Sequence, residues 1–402
     1  MENENREGLI RIGSTALSRV GNSIEITGKI LAEYNQKKAV LTILEGQLKW
    51  KFKTGGAICH TPVIIDGVIY FGSQDSYLYA LDIHSGELIW RFELEDSISC
   101  TPVIFNGVIY FVDVRFFYAL NIHSGELIWK FKFKKLGDSI GCIPVIFNGV
   151  IYFVDNRYLY ALNIHSGELI WKFKLEDSIG CNPVILNGVI YFGGFDKDLY
   201  AVNSQSGKLN WKFETEDPFL SYPVILSDVI YFVCSDWYLY AVDSQSGKLN
   251  WKFKTEDYNY RYPIIKDGVI YFVDDRSLCA LDIQSKKLIW KFETGNSIDS
   301  YPNIFDRLIC FTSGDRYICA LDIQSGKILW KFKAELALPK TAVVKNSAIY
   351  FGSRDKYLYA LYIQSGELVW KFQTASHIMR EPVIRDGVIY FGDNNGYLYA
   401  VK

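Results

Sequence analysis

Nine positions of this 402-residue chain share one register: each stands two residues before a recurring proline, or before Ala342, which replaces it once. In order they read His60, Cys100, Cys142, Cys181, Ser221, Arg261, Ser300, Lys340 and Arg380. The first four carry imidazole or thiol groups, the ligand types of a zinc site. Arg261, Lys340 and Arg380 are cations that would hold a carboxylate or another anion through charge-assisted hydrogen bonds. Beside them stand Tyr222, Tyr258, Tyr260, Tyr262 and Tyr301, whose rings offer stacking faces and whose hydroxyls offer donors. No catalytic grouping emerges. The chain has no GxSxG, P-loop, HExxH or dinucleotide-binding glycine pattern, and pairs such as His84-Ser85 are hairpin chemistry.

Repetition positions these residues. Nine of the ten tryptophans, from Trp50 and Trp90 through Trp251 to Trp370, sit in a Trp-Lys/Arg-Phe context 39 to 42 residues apart; only Trp237 lies off the series. One unit, Thr61 to Phe92, reads TPVIIDGVIYFGSQDSYLYALDIHSGELIWRF. Short β-branched and aromatic runs separated by turn residues make it four strands. Strand A (PVII) is closed by Asp66-Gly67 and strand B (VIYF) by a Ser-Gln-Asp-Ser loop; strand C (LYAL) leads through the Asp82-to-Gly86 turn into strand D (ELIWRF). A four-stranded antiparallel meander of about 40 residues, repeated in tandem, is the signature of a β-propeller blade.

The strand-B motif occurs nine times, first at Val68 and last at Val388, and the sequence stops after a ninth strand C at Lys402. The missing ninth strand D stands instead at the front, as Gly46 to Phe52. Lys402 falls at the register of Thr42, 360 residues away, which is nine units of 40. The fold expected is therefore all-β: residues 42–402 form a closed propeller of nine four-stranded blades, sealed by pairing 43–53 with 382–402. Such a seam removes two sheet edges. Eight blades is the alternative, and it leaves one three-stranded set unpaired.

Gly72-Ser73, Asp75, Leu78 to Asp82, Ser85-Gly86 and Trp90 resemble the repeat of the pyrroloquinoline-quinone-like propeller family, and the resemblance recurs over residues 43 to 402. It implies the propeller fold. For function it implies less, since similar blades serve quinoprotein alcohol dehydrogenases and an outer-membrane assembly lipoprotein. The dehydrogenases are similar to one another in a vicinal Cys-Cys pair and an acidic residue beside calcium; no Cys-Cys dipeptide occurs here. The lipoprotein begins with a lipobox cysteine, whereas the first cysteine here is Cys59.

Comparing the units separates framework from variable surface. The strand-D tryptophans are expected to pack between blades, and the Asp or Asn after strand C to fix the C–D turn; Tyr362 breaks that pattern and predicts a looser turn. His84, His123 and His165 share that turn and read as exposed. A–B and C–D turns lie on one face and hardly vary. B–C and D–A loops share the other, face one, and vary heavily, as a recognition surface does. The nine-residue register falls at the mouth of the central channel on face one. His60, Cys100, Cys142 and Cys181 would stand on four successive blades, where convergence on one ion is geometrically unfavourable, so small buried thiols are the better reading. The cationic arc is either an anion pocket or a solvated rim whose charges avoid one another.

Residues 1–41 lie outside the repeats. The spacing of Leu9, Gly13, Leu17, Val20, Ile24 and Leu31, three to seven residues apart, suits a short amphipathic helix that covers the seam or docks a partner, although Gly21, Gly28 and the β-branched run Ile24 to Thr27 run against a helix. A net charge of −2 supplies no basic stripe for general nucleic-acid binding, and no apolar stretch reaches membrane-span length. The polar start and eight scattered cysteines without CxxC suit the cytoplasm and reduced thiols. The reading is a monomeric, non-enzymatic binding or scaffold propeller with no cofactor. It would recognise a protein or peptide ligand through face one and a mouth formed by Arg261, Lys340, Arg380, Tyr222, Tyr262, Tyr301 and His60. The alternative is a binder of a cofactor or small anion, or a quinone-dependent enzyme, using the same mouth.

Overall fold

Strand-forming runs dominate every unit, and a computed structural model shows them as strands. The residues it describes are 10–12, 15–20, 23–25, 44–133, 143–218, 221–256, 262–298, 300–338 and 342–402. Among these, nine sheets carry the four-stranded meander, with A to D hydrogen-bonded in that order. Blade one comprises Val63–Ile65, Val68–Ser73, Tyr77–Asp82 and Leu88–Glu93. Blade six comprises Ile264–Lys266, Val269–Asp274, Ser277–Asp282 and Leu288–Glu293. Blade nine takes Val383–Arg385, Val388–Gly392 and Tyr397–Val401 from one end of the chain and Leu48–Lys53 from the other. The count is nine, not eight.

Strands B and C are apolar on both faces because each is sandwiched between neighbouring blades, and they carry the core. Within a blade a strand-B phenylalanine stacks on a strand-C tyrosine, as Phe71 does on Tyr79 at 5.3 Å. Between blades the strand-D tryptophan is the clasp. Trp50 of blade nine donates its indole N–H to the Ile83 carbonyl of blade one at 3.0 Å. Its ring covers Gly86, where φ is +73° and a Cβ would lie 2.5 Å from the indole, so glycine is required twice over.

The seam forms where the repeat arithmetic places it. Tyr397 pairs with Lys53 and Val401 with Leu48, and Gln47 and Lys402 exchange backbone bonds of 2.8 and 2.9 Å. Its front boundary is corrected. Leu44–Glu45 do not belong to blade nine but run parallel to the outer strand of blade eight, opposite Trp370 and Lys371. The helix expected in residues 1–41 is corrected for the described part of that segment, Leu9 and Leu31 lying outside it. Ile10–Ile12, Thr15–Val20 and Ser23–Glu25 form a three-stranded antiparallel sheet. Gly13-Ser14 and Gly21-Asn22 separate β-branched runs, and this punctuation favours hairpins over a helix. The turn at Tyr362 is not loose: Tyr362 N–H bonds the Glu367 carbonyl at 2.9 Å and Gly366 N–H bonds Tyr362 at 2.8 Å, as in the Asx-bearing turns. Backbone bonds and a glycine at φ +69° set this turn, and the Asx contact only adds to them.

Candidate functional site

Face one is built where each D–A loop meets the B–C loop of the following blade. The variable B–C loops contain one fixed group, an aspartate that ties blades together. Asp75 accepts from Gly55 N–H, at the end of blade nine, at 2.7 Å and from Tyr79 O–H at 2.8 Å. Asp236 accepts from Glu216 N–H at 3.2 Å and Tyr240 O–H at 2.6 Å, and Asp355 and Asp393 repeat the pattern. Burial first, then the carboxylate acceptor, raises the Tyr79 phenol above its ordinary value.

The register two before the proline divides. Its small members turn back into their own blades and cap strand B. Ser221 Oγ accepts the Val233 N–H at 3.1 Å, Ser300 Oγ the Thr312 N–H at 2.7 Å, and Cys181 Sγ the Gly193 N–H at 3.1 Å. Burial pushes the Cys100 and Cys181 thiols up to about 12, so both are protonated caps in the core. That weighs against the zinc reading of His60, Cys100, Cys142 and Cys181, whose remaining cysteine, Cys142, lies outside the described residues. Among the described residues no group of three or more His, Cys, Asp or Glu is placed to hold a metal. Arg261, Lys340, Tyr258 and Tyr260 also lie outside the described residues.

Arg380 is exposed, and its Nε donates to the Cys59 carbonyl at 2.5 Å, bridging blades nine and one. Burial, joined by the Arg380 charge and opposed by a backbone bond with Ile98, holds the His60 imidazole down to about 4. At neutral pH His60 is thus an uncharged ring beside a guanidinium.

The mouth is lined by the next residue along, immediately before the proline. Tyr222 packs on Tyr262 with ring centres 5.6 Å apart, and Tyr262 stacks on Tyr301 at 4.2 Å with the planes 18° apart. Three successive blades therefore present one half-buried aromatic row. Burial raises the Tyr262 phenol, helped by Tyr301 and by Glu381, which holds the same register on blade nine. On blades three and four, Ile143 N–H bonds Asn182 Oδ1 at 3.3 Å, and Ile143 is largely exposed. Sequence reasoning missed Glu381, Asn182 and Ile143 at the mouth. The signal was the alternation of an extended chain, which points consecutive side chains opposite ways.

The sequence matches the family described as outer membrane protein assembly factor BamB over residues 19–113, 113–261 and 238–402. The chain belongs to this BamB-type family of PQQ-repeat propellers. No curated protein matches the sequence. Among solved structures, BamB from Moraxella catarrhalis is similar at 14% identity and a TM-score of 0.60, covering 89% of this chain and 98% of its own. Quinohemoprotein alcohol dehydrogenase from Comamonas testosteroni is similar at 14% identity and a TM-score of 0.60, covering 89% and 76%. The computationally designed Ika8 protein follows at 10% identity and a TM-score of 0.59, covering 87% and 97%. At such identities the likeness to these structures is one of fold. BamB, an alcohol dehydrogenase and a designed protein share this propeller fold, so the fold by itself does not decide what the chain does.

Proposed function

We propose that this BamB-type propeller is a non-enzymatic binding protein that receives a protein or peptide ligand at the face-one mouth. The observation that carries the reading is the Tyr222–Tyr262–Tyr301 row, continuous across three blades. Aromatic rims of this kind anchor peptide side chains with little entropy to lose. Glu381 and Arg380 supply charge of both signs next to it, and Arg261 and Lys340 extend the cationic side in this proposal. The working compartment is the cytoplasm, a placement supported by seven free cysteines among the described residues. The protein acts as a monomer, with residues 1–41 as a second docking element. The second reading, a cofactor or small anion held at the same mouth, draws on the fold shared with the quinohemoprotein dehydrogenase.

The test is selection of displayed peptides on the immobilised full chain. Enriched peptides should lose about ten- to a hundredfold in affinity for the Tyr262→Ala/Tyr301→Ala variant, with thermal stability nearly unchanged. No enrichment, together with a stoichiometric chromophore in the purified protein, would favour the cofactor reading. Enrichment insensitive to the tyrosines but lost on deleting residues 1–36 would move recognition to the N-terminal segment.

A further inference from the structure

Strand C opens with an aromatic ring in most blades, and a cation from strand D of the same blade lies over it. Arg91 stands 4.8 Å from the ring centre of Tyr77, Lys130 4.7 Å from Phe116, Lys252 3.9 Å from Tyr238 and Lys371 4.2 Å from Tyr357. Blade four has Asp198 in place of the ring, and Lys212 closes the position as an ion pair at 3.0 Å. Blade six keeps its cation, Lys291, but has Ser277 where the ring belongs and Cys279 where the second tyrosine of the strand belongs. Lys291 turns instead to Glu256 at 2.5 Å and Glu293 at 3.7 Å. A cavity of about 250 Å³ stands there, with Ser277 in its wall and Glu256, Asp274, Asp275 and Glu293 around it.

This cavity opens on face one, since its walls come from a B–C loop and the end of a strand D. The repeat itself states what fits: a six-membered ring seated beside residue 277 under a lysine ammonium. Four carboxylates against Arg276 and Lys291 add a requirement for positive charge beside the ring. We propose that the blade-six cavity docks an aromatic side chain of a basic peptide. The ring takes the place left by Ser277, and a flanking lysine or arginine takes over Glu256 and Glu293, freeing Lys291 to cover the ring. The proposal rests on the peptide-binding reading above and adds a second anchor point away from the mouth.

The probe is the blocked tripeptide Lys-Tyr-Lys, titrated calorimetrically into the full chain, with saturation-transfer NMR reading contact at its ring protons. Ser277→Tyr restores the residue found in blades one, three and five, so the variant should fold and melt no lower than the parent. It should weaken the tripeptide at least about tenfold, and Glu293→Gln should weaken it about threefold. Lys-Ala-Lys should bind at least about fivefold more weakly than Lys-Tyr-Lys. Equal binding of the two peptides, or indifference to Ser277→Tyr, would overturn the proposal. Tyr262→Ala/Tyr301→Ala should leave the tripeptide unaffected. If that variant abolishes binding while Ser277→Tyr does not, the peptide sits at the mouth: the blade-six site fails and the reading of the mouth stands.

Discussion

Blade one and blade six have the same four strands, and the same backbone bonds close their C–D turns, from Asp82 to Glu87 at 2.9 Å and from Asp282 to Lys287 at 3.0 Å. They are clasped differently by the blade before them. On blade one the Trp50 indole lies flat over Gly86 and bonds the Ile83 carbonyl. On blade six the glycine is replaced by Lys286, held at φ +61°, whereas a Cβ at Gly86 would come within 2.5 Å of the indole. Trp251 accordingly has no indole bond to Ile283 among the described residues, and its plane stands 54° from Tyr231, against 45° for Trp50 and Tyr390. The blade with the looser clasp is also the blade that has lost two rings and gained a cavity. The missing indole bond, the positive-φ lysine and the cavity thus fall on the same blade.

The largest test of this contrast removes the clasp on blade one altogether. Deleting residues 1–53 takes Trp50 and the outer strand of blade nine, and should yield aggregated or non-cooperatively unfolding protein by size-exclusion chromatography and urea titration. Deleting residues 1–36 should leave the urea midpoint unchanged; equal behaviour of the two truncations would refute the seam's importance. Next comes exchange of the turn residue. Gly86→Lys should cost about 2–3 kcal/mol, from backbone strain and the displaced indole bond, whereas Lys286→Gly should gain about 1–2 kcal/mol in the same urea titration. Equal and small effects at both sites would show that the glycine does not govern the clasp.

The smallest effect concerns His60, where the chain enters blade one. Its folded value of about 4 lies below the ordinary 6.5, so between these values the unfolded chain binds more protons. Stability from this group is present above pH 6.5 and falls with the pH, by no more than about 2 kcal/mol between pH 7 and 5. His60→Gln should flatten that part of the pH profile of the urea midpoint; an unchanged slope would mean that other groups dominate it.

Much of the architecture was legible because the repeat compares the chain with itself. Nine tryptophans fixed the blade length, and a displaced strand D fixed the closure. At the mouth the sequence put two neighbouring registers together, since Pro102 and its equivalents mark where strand A begins but not which neighbouring side chain faces the channel. The first register supplies core caps such as Ser221 and Ser300, whereas the second carries Tyr222, Tyr262 and Tyr301 together with Glu381, which was not named. The N-terminal sheet was missed because residues three to seven apart fit both a helix and short strands, with Gly13 counted into the helical spacing and Gly21 read as weakening a helix rather than as a turn. The loss at Trp251 was out of reach: Lys286 is plain in the sequence, but its clash with an indole 35 residues earlier exists only once two blades meet.

The seam has a consequence for biosynthesis. Leu48–Lys53 leaves the ribosome early, yet its partner, Tyr397–Val401, is about 350 residues further on. Blades one to eight are each contiguous in the four-strand meander and can form as they emerge, since their contacts are local. The early strand has no sheet to join throughout that interval and is an open edge in need of cover. Its pairing with the last strand converts an open row of blades into a ring. Ring closure therefore waits for Tyr397–Val401, and a ribosome stalled before that strand would hold eight blades that cannot close.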